Sequence, residues 1–448
     1  MKPTWLLAAC AFAAMLVQAV GRDATVLHGI TAADVFIAGV FGLLALQSAL
    51  GQTPVGQERP LIMAFAIWCA YGVLSWAIVS VGDFYRGYDA IRSGLLLKQR
   101  LFEHAIVFAG FFFGAHYASD ARFVMKALLA AVFLAAFLHV LDALGIVGLG
   151  LTVLWMGRVT GLMGEANQTG VFAAAFIPMF LGLAFRARPL ERAFWLAGGA
   201  VLTIHLLLTA SRGGVAGLFL AGVLGIALYF RYVRPGLIAA IGVGAVVLFA
   251  IIFASIGVEN RSLLMARFIG ESTATGVANL SSGRTEIWSQ VLGFMADSPW
   301  SFVTGMGWET YKLFGAVANA HNTFLGIWFN QGIVGLGCVL FILGRTVWLA
   351  RDACNTADPR DRALLIAASL GVLGASIAAF FVDVWAPWQF LWMLVGLTAR
   401  LAVNLRAERP IAAPLSVASP SGTVAAEAAA DPWGWRARPS VRRSTGAG

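Results

Sequence analysis

The chain has 448 residues, of which 60% are hydrophobic and only 12% charged, with a mean hydropathy of +0.81. Soluble domains carry about a quarter charged residues, so this composition excludes an ordinary water-soluble protein. The net charge of +9 does not point to nucleic acid: the basic residues fall mainly in short connections between apolar stretches, and no nucleic-acid motif is present.

Apolar stretches of about 20 residues, enough to cross a bilayer as helix, recur along the whole chain. The reading is an all-α polytopic membrane protein, since a β-barrel would show short alternating segments instead. The hydrophobic runs predict spans over 4–21, 32–50, 61–81, 101–118, 123–147, 165–185, 193–210, 213–230, 236–257, 321–343, 363–381 and 386–404. A count of about twelve transmembrane helices places both termini on one side. The connections on that side hold Arg59, Arg122, Lys126, Arg186, Arg188, Arg345 and Arg351, among others. By the positive-inside rule that side is the cytoplasm.

Three connections on the other side break the pattern of short, plain loops: 82–100, 148–164 and 258–320. The last is far longer than an ordinary connector, and such loops are usually functional or disordered. Within it Ile287, Trp288, Val291, Leu292 and Met295 recur at helical spacing, ahead of a stop at Asp297-Ser298-Pro299. This predicts an amphipathic helix lying at the outer interface. Residues 1–404 form the transmembrane domain. Residues 405–448, rich in Ala, Pro and Ser, read as a disordered cytoplasmic tail whose arginines meet membrane lipid. Cys10, Cys69, Cys338 and Cys354 form neither a disulfide framework nor a metal-binding pair.

The outer side carries four segments with chemistry in them. Arg158-Val-Thr-Gly-Leu-Met-Gly-Glu165-Ala-Asn167-Gln168 enters the sixth span, where Glu165 and Asn167 are placed to cap backbone N–H groups. Arg158 offers a planar fork of donors suited to phosphate. Ser211-Arg212-Gly213 turns between the seventh and eighth spans, with Gly213 and Gly217 spaced for close approach of another helix. The bland reading of Arg212 is a side chain snorkelling to the interface. Ser282-Gly283-Arg284-Thr-Glu286-Ile-Trp288 opens the amphipathic helix, and its bland reading is a solvated Arg-Glu face. His321-Asn322-Thr323 starts the tenth span, followed by Asn330-Gln331-Gly332. A lone histidine is more often structural than catalytic, yet an imidazole at a helix start can take a proton as general base. Buried His139 and His205 read as hydrogen-bonded residues of the bundle.

In order and spacing these segments resemble the O-antigen ligase/polymerase superfamily of bacterial envelope glycosyltransferases, over roughly residues 150–340. The resemblance implies a GT-C-like membrane fold with its active site facing the periplasm of the inner membrane. It implies transfer of a glycan from an undecaprenyl pyrophosphate carrier to an acceptor hydroxyl. Arg212 and Arg284, with Arg158 as a further contributor, would then bind the pyrophosphate. His321 would deprotonate the acceptor, and Asn322 would orient it or cap its helix. Ser211, Asn167, Glu165 and Trp288 would support the site, although Glu165 departs from the residue the family would place there. Pyrophosphate leaves readily, and fixed positive charge stabilises what accumulates as its bond breaks. No Asp-x-Asp pair or His/Cys cluster is present to hold a metal, so the expectation is a metal-independent transfer with no cofactor. The acceptor stays open between lipid A core, which makes a ligase and is preferred, a growing glycan, which makes a polymerase, and a protein hydroxyl. A lipid-linked glycan flippase is the rival of a different class, disfavoured because charge gathers at one face rather than at the midplane.

Overall fold

A computed structural model describes residues 3–20, 25–27, 30–50, 58–82, 85–155, 158–232, 236, 283–314, 320–384 and 388–408. All but the first residue of the expected span 236–257, the long connection up to Ser282, and most of the expected tail lie outside the described residues. Eight of the described helices are long and apolar enough to cross a membrane. In chain order the helices are α1 (Pro3–Val20), α2 (Ala32–Ala49), α3 (Arg59–Val81), α4 (Ala90–Leu97), α5 (Glu103–Gly114), α6 (Ala118–Ala143), α7 (Ala166–Arg186), α8 (Pro189–Leu208) and α9 (Arg212–Tyr229). After the gap come α10 (Arg284–Ala296), α11 (Ser301–Thr304), α12 (Thr323–Ala353), α13 (Pro359–Ala378) and α14 (Trp388–Ala407). Two short antiparallel pairs, β1 (Thr25–Leu27) with β2 (Ile30–Thr31) and β3 (Leu154–Trp155) with β4 (Arg158–Val159), are the strands among these residues. The chain is an all-α polytopic membrane protein.

The core centres on α7, which is buried along almost its whole length. Small residues let other helices reach its backbone, the usual way helices pack where lipid removes the hydrophobic drive. Gly371 and Gly374 of α13 lie against the carbonyls of Ala175 and Ala174, and Gly214 of α9 crosses the backbone of Gly170. Gly217 meets Gly374 and Ala378, so the Gly213/Gly217 stripe does face a neighbouring helix. At one end of the bundle the helices are locked by charge. Asp361 of α13 takes Arg122 of α6 at 3.0 Å and also pairs with Arg186 of α7.

Two boundaries depart from the sequence reading. The span expected over 101–118 starts earlier: α4, a π-helical segment Lys98–Phe102 and α5 run on from Ala90. Asp89 caps this helix by accepting from the Arg92 N–H at 2.9 Å. Its charged residues are tolerated as helix because distant partners neutralise them: Lys98 meets Asp34 at 2.6 Å, and Arg100 pairs with Glu309. The span expected over 321–343 is also longer, reaching Ala353 as α12. It is broken at Gly332, whose φ of 60° and ψ of −164° only glycine adopts easily. The carbonyls freed there are met from outside the helix. Met306 N–H donates to Phe329 O at 2.6 Å, and Ser75 Oγ donates to Asn330 O at 2.6 Å.

Candidate active site

Arg158 leaves the β3–β4 pair, where it is in register with Trp155, and turns inward with 8% of its surface exposed. Its Nε donates to Thr209 O at 2.8 Å and a terminal nitrogen donates to Asn167 Oδ1 at 2.9 Å. The following loop is pinned from two helices. Leu162 N–H donates to His205 Nε2 at 3.3 Å, and Met163 N–H donates to Thr169 Oγ1 at 3.1 Å. His139 likewise meets Ala19 O at 3.0 Å, so both buried histidines are bonded within the bundle. Glu165 is the N-cap of α7, accepting from the N–H groups of Asn167 and Gln168 at 3.0 and 3.1 Å. The residue that looked out of place in the motif thus performs ordinary helix capping, while Asn167 holds Arg158.

The turn that receives Arg158 presents Arg212. Helix α8 ends at Leu208, Ala210 takes a left-handed φ of 46°, and Ser211 caps α9 by accepting from Gly214 N–H at 3.3 Å. Gly170 has to be glycine here, because a Cβ on it would stand 2.1 Å from Ser211 Oγ. Arg212 is therefore the first residue of a helix, where N–H groups and the helix dipole already concentrate positive potential. That is a place for an anion.

His321 stands at the start of α12. Asn322 caps the helix, its Oδ1 accepting from Phe324 and Leu325 N–H at 3.0 and 3.1 Å. The cap faces inward while His321 is exposed, held at a left-handed φ of 46° that non-glycine residues adopt at a cost. Thr323 fastens this start to the chain between α13 and α14. Its N–H and Oγ1 donate to Val382 O at 3.1 and 2.8 Å, and Val384 N–H donates back to its Oγ1 at 2.9 Å. The same stretch touches the Arg212 turn, because a Cβ on Gly213 would lie 2.9 Å from Phe381 Cβ. Residues 381–384, among them half-buried Asp383, thus link the two helix starts.

Arg284 opens α10 behind Gly283, whose φ is 75°. One turn on, Trp288 Nε1 donates to Ala320 O at 2.8 Å, the carbonyl just before His321. Arg284 and Trp288 are four residues apart and share a helix face, so this bond brings the Arg284 end of α10 to His321. Helix α10 ends at Ala296, as the Asp-Ser-Pro stop predicts, and buries Val291 and Met295 against Tyr311, Leu325 and Phe329.

Sequence-distant segments are thereby joined into one end of the bundle: Arg158 to Thr209, the Arg212 turn to Phe381, Val382 to Thr323, and Ala320 to Trp288. Arginine at two helix starts can hold a diphosphate, and the exposed imidazole nearby can take a proton. Sequence reasoning missed Thr209, Thr323, Val382 and Tyr311, which act through backbone contacts or burial that no local pattern announces. Among the described residues no cluster of three or more His, Cys, Asp or Glu side chains could hold a metal ion. Residues 197–340 match the family model described as O-antigen ligase. The match takes in Ser211, Arg212, Arg284, Trp288, His321 and Asn322, and leaves Arg158, Glu165 and Asn167 outside it. No curated protein matches the chain.

Proposed function

For a chain that belongs to the O-antigen ligase superfamily, and is thus a multi-pass bacterial membrane enzyme of glycan transfer, we propose a specific reaction. A glycan moves from undecaprenyl pyrophosphate to the hydroxyl of lipid A core, at the periplasmic face of the inner membrane. Arg212 and Arg284 bind the pyrophosphate and stabilise its charge as the glycosidic bond breaks. His321 removes the proton of the attacking hydroxyl. Asn322 and Trp288 hold His321 in place from either side in sequence, and Arg158 stiffens the turn that presents Arg212. The transfer needs no metal, because the arginines supply the positive charge. The observation that carries this reading is the linkage of the Arg212 and His321 helix starts through residues 381–384. The count of basic loops supports the orientation, with both termini in the cytoplasm.

The test uses the purified chain in lipid nanodiscs, native lipid-linked glycan as donor, and lipid A core, free lipid-linked glycan or a Ser/Thr peptide as acceptor. Glycan on lipid A core, still formed with EDTA present, is the expected product. Longer glycan on the carrier would make it a polymerase instead, and glycosylated peptide a protein transferase. Donor binding with no transfer to any acceptor would overturn the enzymatic reading in favour of a flippase.

A further inference from the structure

One polar group near this site has no explanation within the fold. Tyr311 is 6% exposed, and its ring stacks on Phe329 of α12 with centroids 4.1 Å apart and planes 11° apart. Its hydroxyl is buried and has no hydrogen-bond partner among the described residues. Buried polar groups are nearly always paired, and leaving one unpaired costs its full desolvation. In the rest of its segment the Trp308 indole N–H is likewise buried without a partner among the described residues, but the backbone is well fastened. Tyr85 Oη donates to Met306 O at 2.9 Å, Tyr88 Oη donates to Trp308 O at 2.8 Å, and Glu309 N–H donates to Asn330 Oδ1 at 3.2 Å. The hydroxyl is thus carried on a rigidly anchored loop, which cannot easily turn to find a partner.

Among the described residues, the hydroxyl faces a glycine of α12 rather than a side chain. Gly326 of α12 lies one turn beyond Asn322 and is partly exposed. A Cβ built on it would meet the Tyr311 oxygen at 3.3 Å, with no other heavy atom beyond its own chain neighbourhood within 4 Å. Among the described residues, the missing side chain at Gly326 thus leaves a small notch on α12 over the hydroxyl, one turn beyond the Asn322 cap. Burial, reinforced by Asp383 and Glu309, pushes the phenol well above its ordinary range, so the hydroxyl keeps its proton and can donate.

We propose that the Tyr311 hydroxyl is a substrate-binding donor of this site, pairing with a sugar oxygen that enters the notch at Gly326. This rests on the glycan-transfer reading above. Its logic is that of a site built to hydrogen-bond a substrate: the donor waits unpaired in the free protein and is paired by the correct ligand. A glycan oxygen could come from the donor or from the acceptor, and the kinetics separate the two.

The experiment compares wild type, Tyr311→Phe, Gly326→Ala and His321→Ala in nanodiscs, varying native lipid-linked glycan and lipid A core in turn, alongside thermal unfolding. Removing an unpaired buried hydroxyl should leave the melting temperature unchanged or higher. Tyr311→Phe should raise KM for one glycan about tenfold while kcat changes less. A rise for lipid-linked glycan assigns the hydroxyl to the donor, and a rise for lipid A core assigns it to the acceptor. Gly326→Ala should raise the same KM by filling the notch, with little added effect in the double variant. Tyr311→Phe with wild-type kinetics, beside an inactive His321→Ala, overturns this inference and leaves the function standing. A fall in melting temperature matched by a fall in kcat alone would make Tyr311 structural, which also overturns it. No transfer by wild type to any acceptor overturns the glycan-transfer reading itself and this inference with it.

Discussion

The two ends of the bundle use arginine in opposite ways. At the end marked by Asp361, two helix starts carry acids as the dipole favours: Asp358 caps α13 and Asp361 lies in its first turn, and Glu191 lies in the first turn of α8, although Arg59 opens α3 there. The arginines there, Arg122 and Arg186, converge on the single buried carboxylate of Asp361. At the other end Arg212 and Arg284 are themselves the first residues of α9 and α10, and His321 precedes the cap of α12. A cation at a helix start works against the dipole and lowers stability. In the proposed function, the pyrophosphate of the donor brings the negative charge that these linked helix starts favour. Charge at the first end serves the fold, and under the proposed function charge at the second serves a ligand.

The sharpest way to break that contrast is to remove arginines from each end. Arg212→Ala and Arg284→Ala should each lower transfer by about a hundredfold or more, as loss of a transition-state charge donor does, with thermal unfolding unchanged or slightly higher. If both act on one pyrophosphate, the double variant should lose much less than the product of the single losses. Asp361→Ala should do the reverse. It leaves two arginines beside an empty site and should destabilise by about 3–5 kcal/mol, with transfer per folded molecule kept. Loss of transfer without loss of stability there would erase the distinction between the ends.

Smaller changes sharpen it. Trp288→Phe removes the bond to Ala320 O, worth about 1 kcal/mol, and should lower transfer about fivefold by loosening the turn before His321. Asn322→Ala deletes a helix cap and should cost about 1 kcal/mol of stability, read as a lower melting temperature. EDTA should leave transfer unchanged, and restoration of lost activity by an added divalent ion would contradict the arginine account.

Much of this was legible in the sequence for a physical reason. Bilayer spans announce themselves by length and hydropathy, and Ser-Arg-Gly, Gly-Arg and His-Asn-Thr sit where helices begin, so the positions of Arg212, Arg284 and His321 follow from local chemistry. What joins them is not local. The Phe381–Val384 stretch that touches Gly213 and bonds Thr323 lies some 60 or more residues away from either. The inward turn of Arg158 depends on a carbonyl at Thr209. The early start of the fourth span was illegible for the same reason: the charges of 90–100 look like loop until Asp34 and Glu309, far off in the chain, are seen to neutralise them. Tyr311, an aromatic between Thr310 and Lys312, carries no local mark at all.

The central claim is that His321 acts on the acceptor while the arginines hold the donor. It is tested most directly by measuring donor binding and transfer separately in His321→Ala in nanodiscs. The account predicts native lipid-linked glycan bound as tightly as by wild type, with transfer to lipid A core reduced by about a hundredfold or more. Transfer at the wild-type rate, or loss of donor binding in a variant that unfolds at the wild-type temperature, would contradict it.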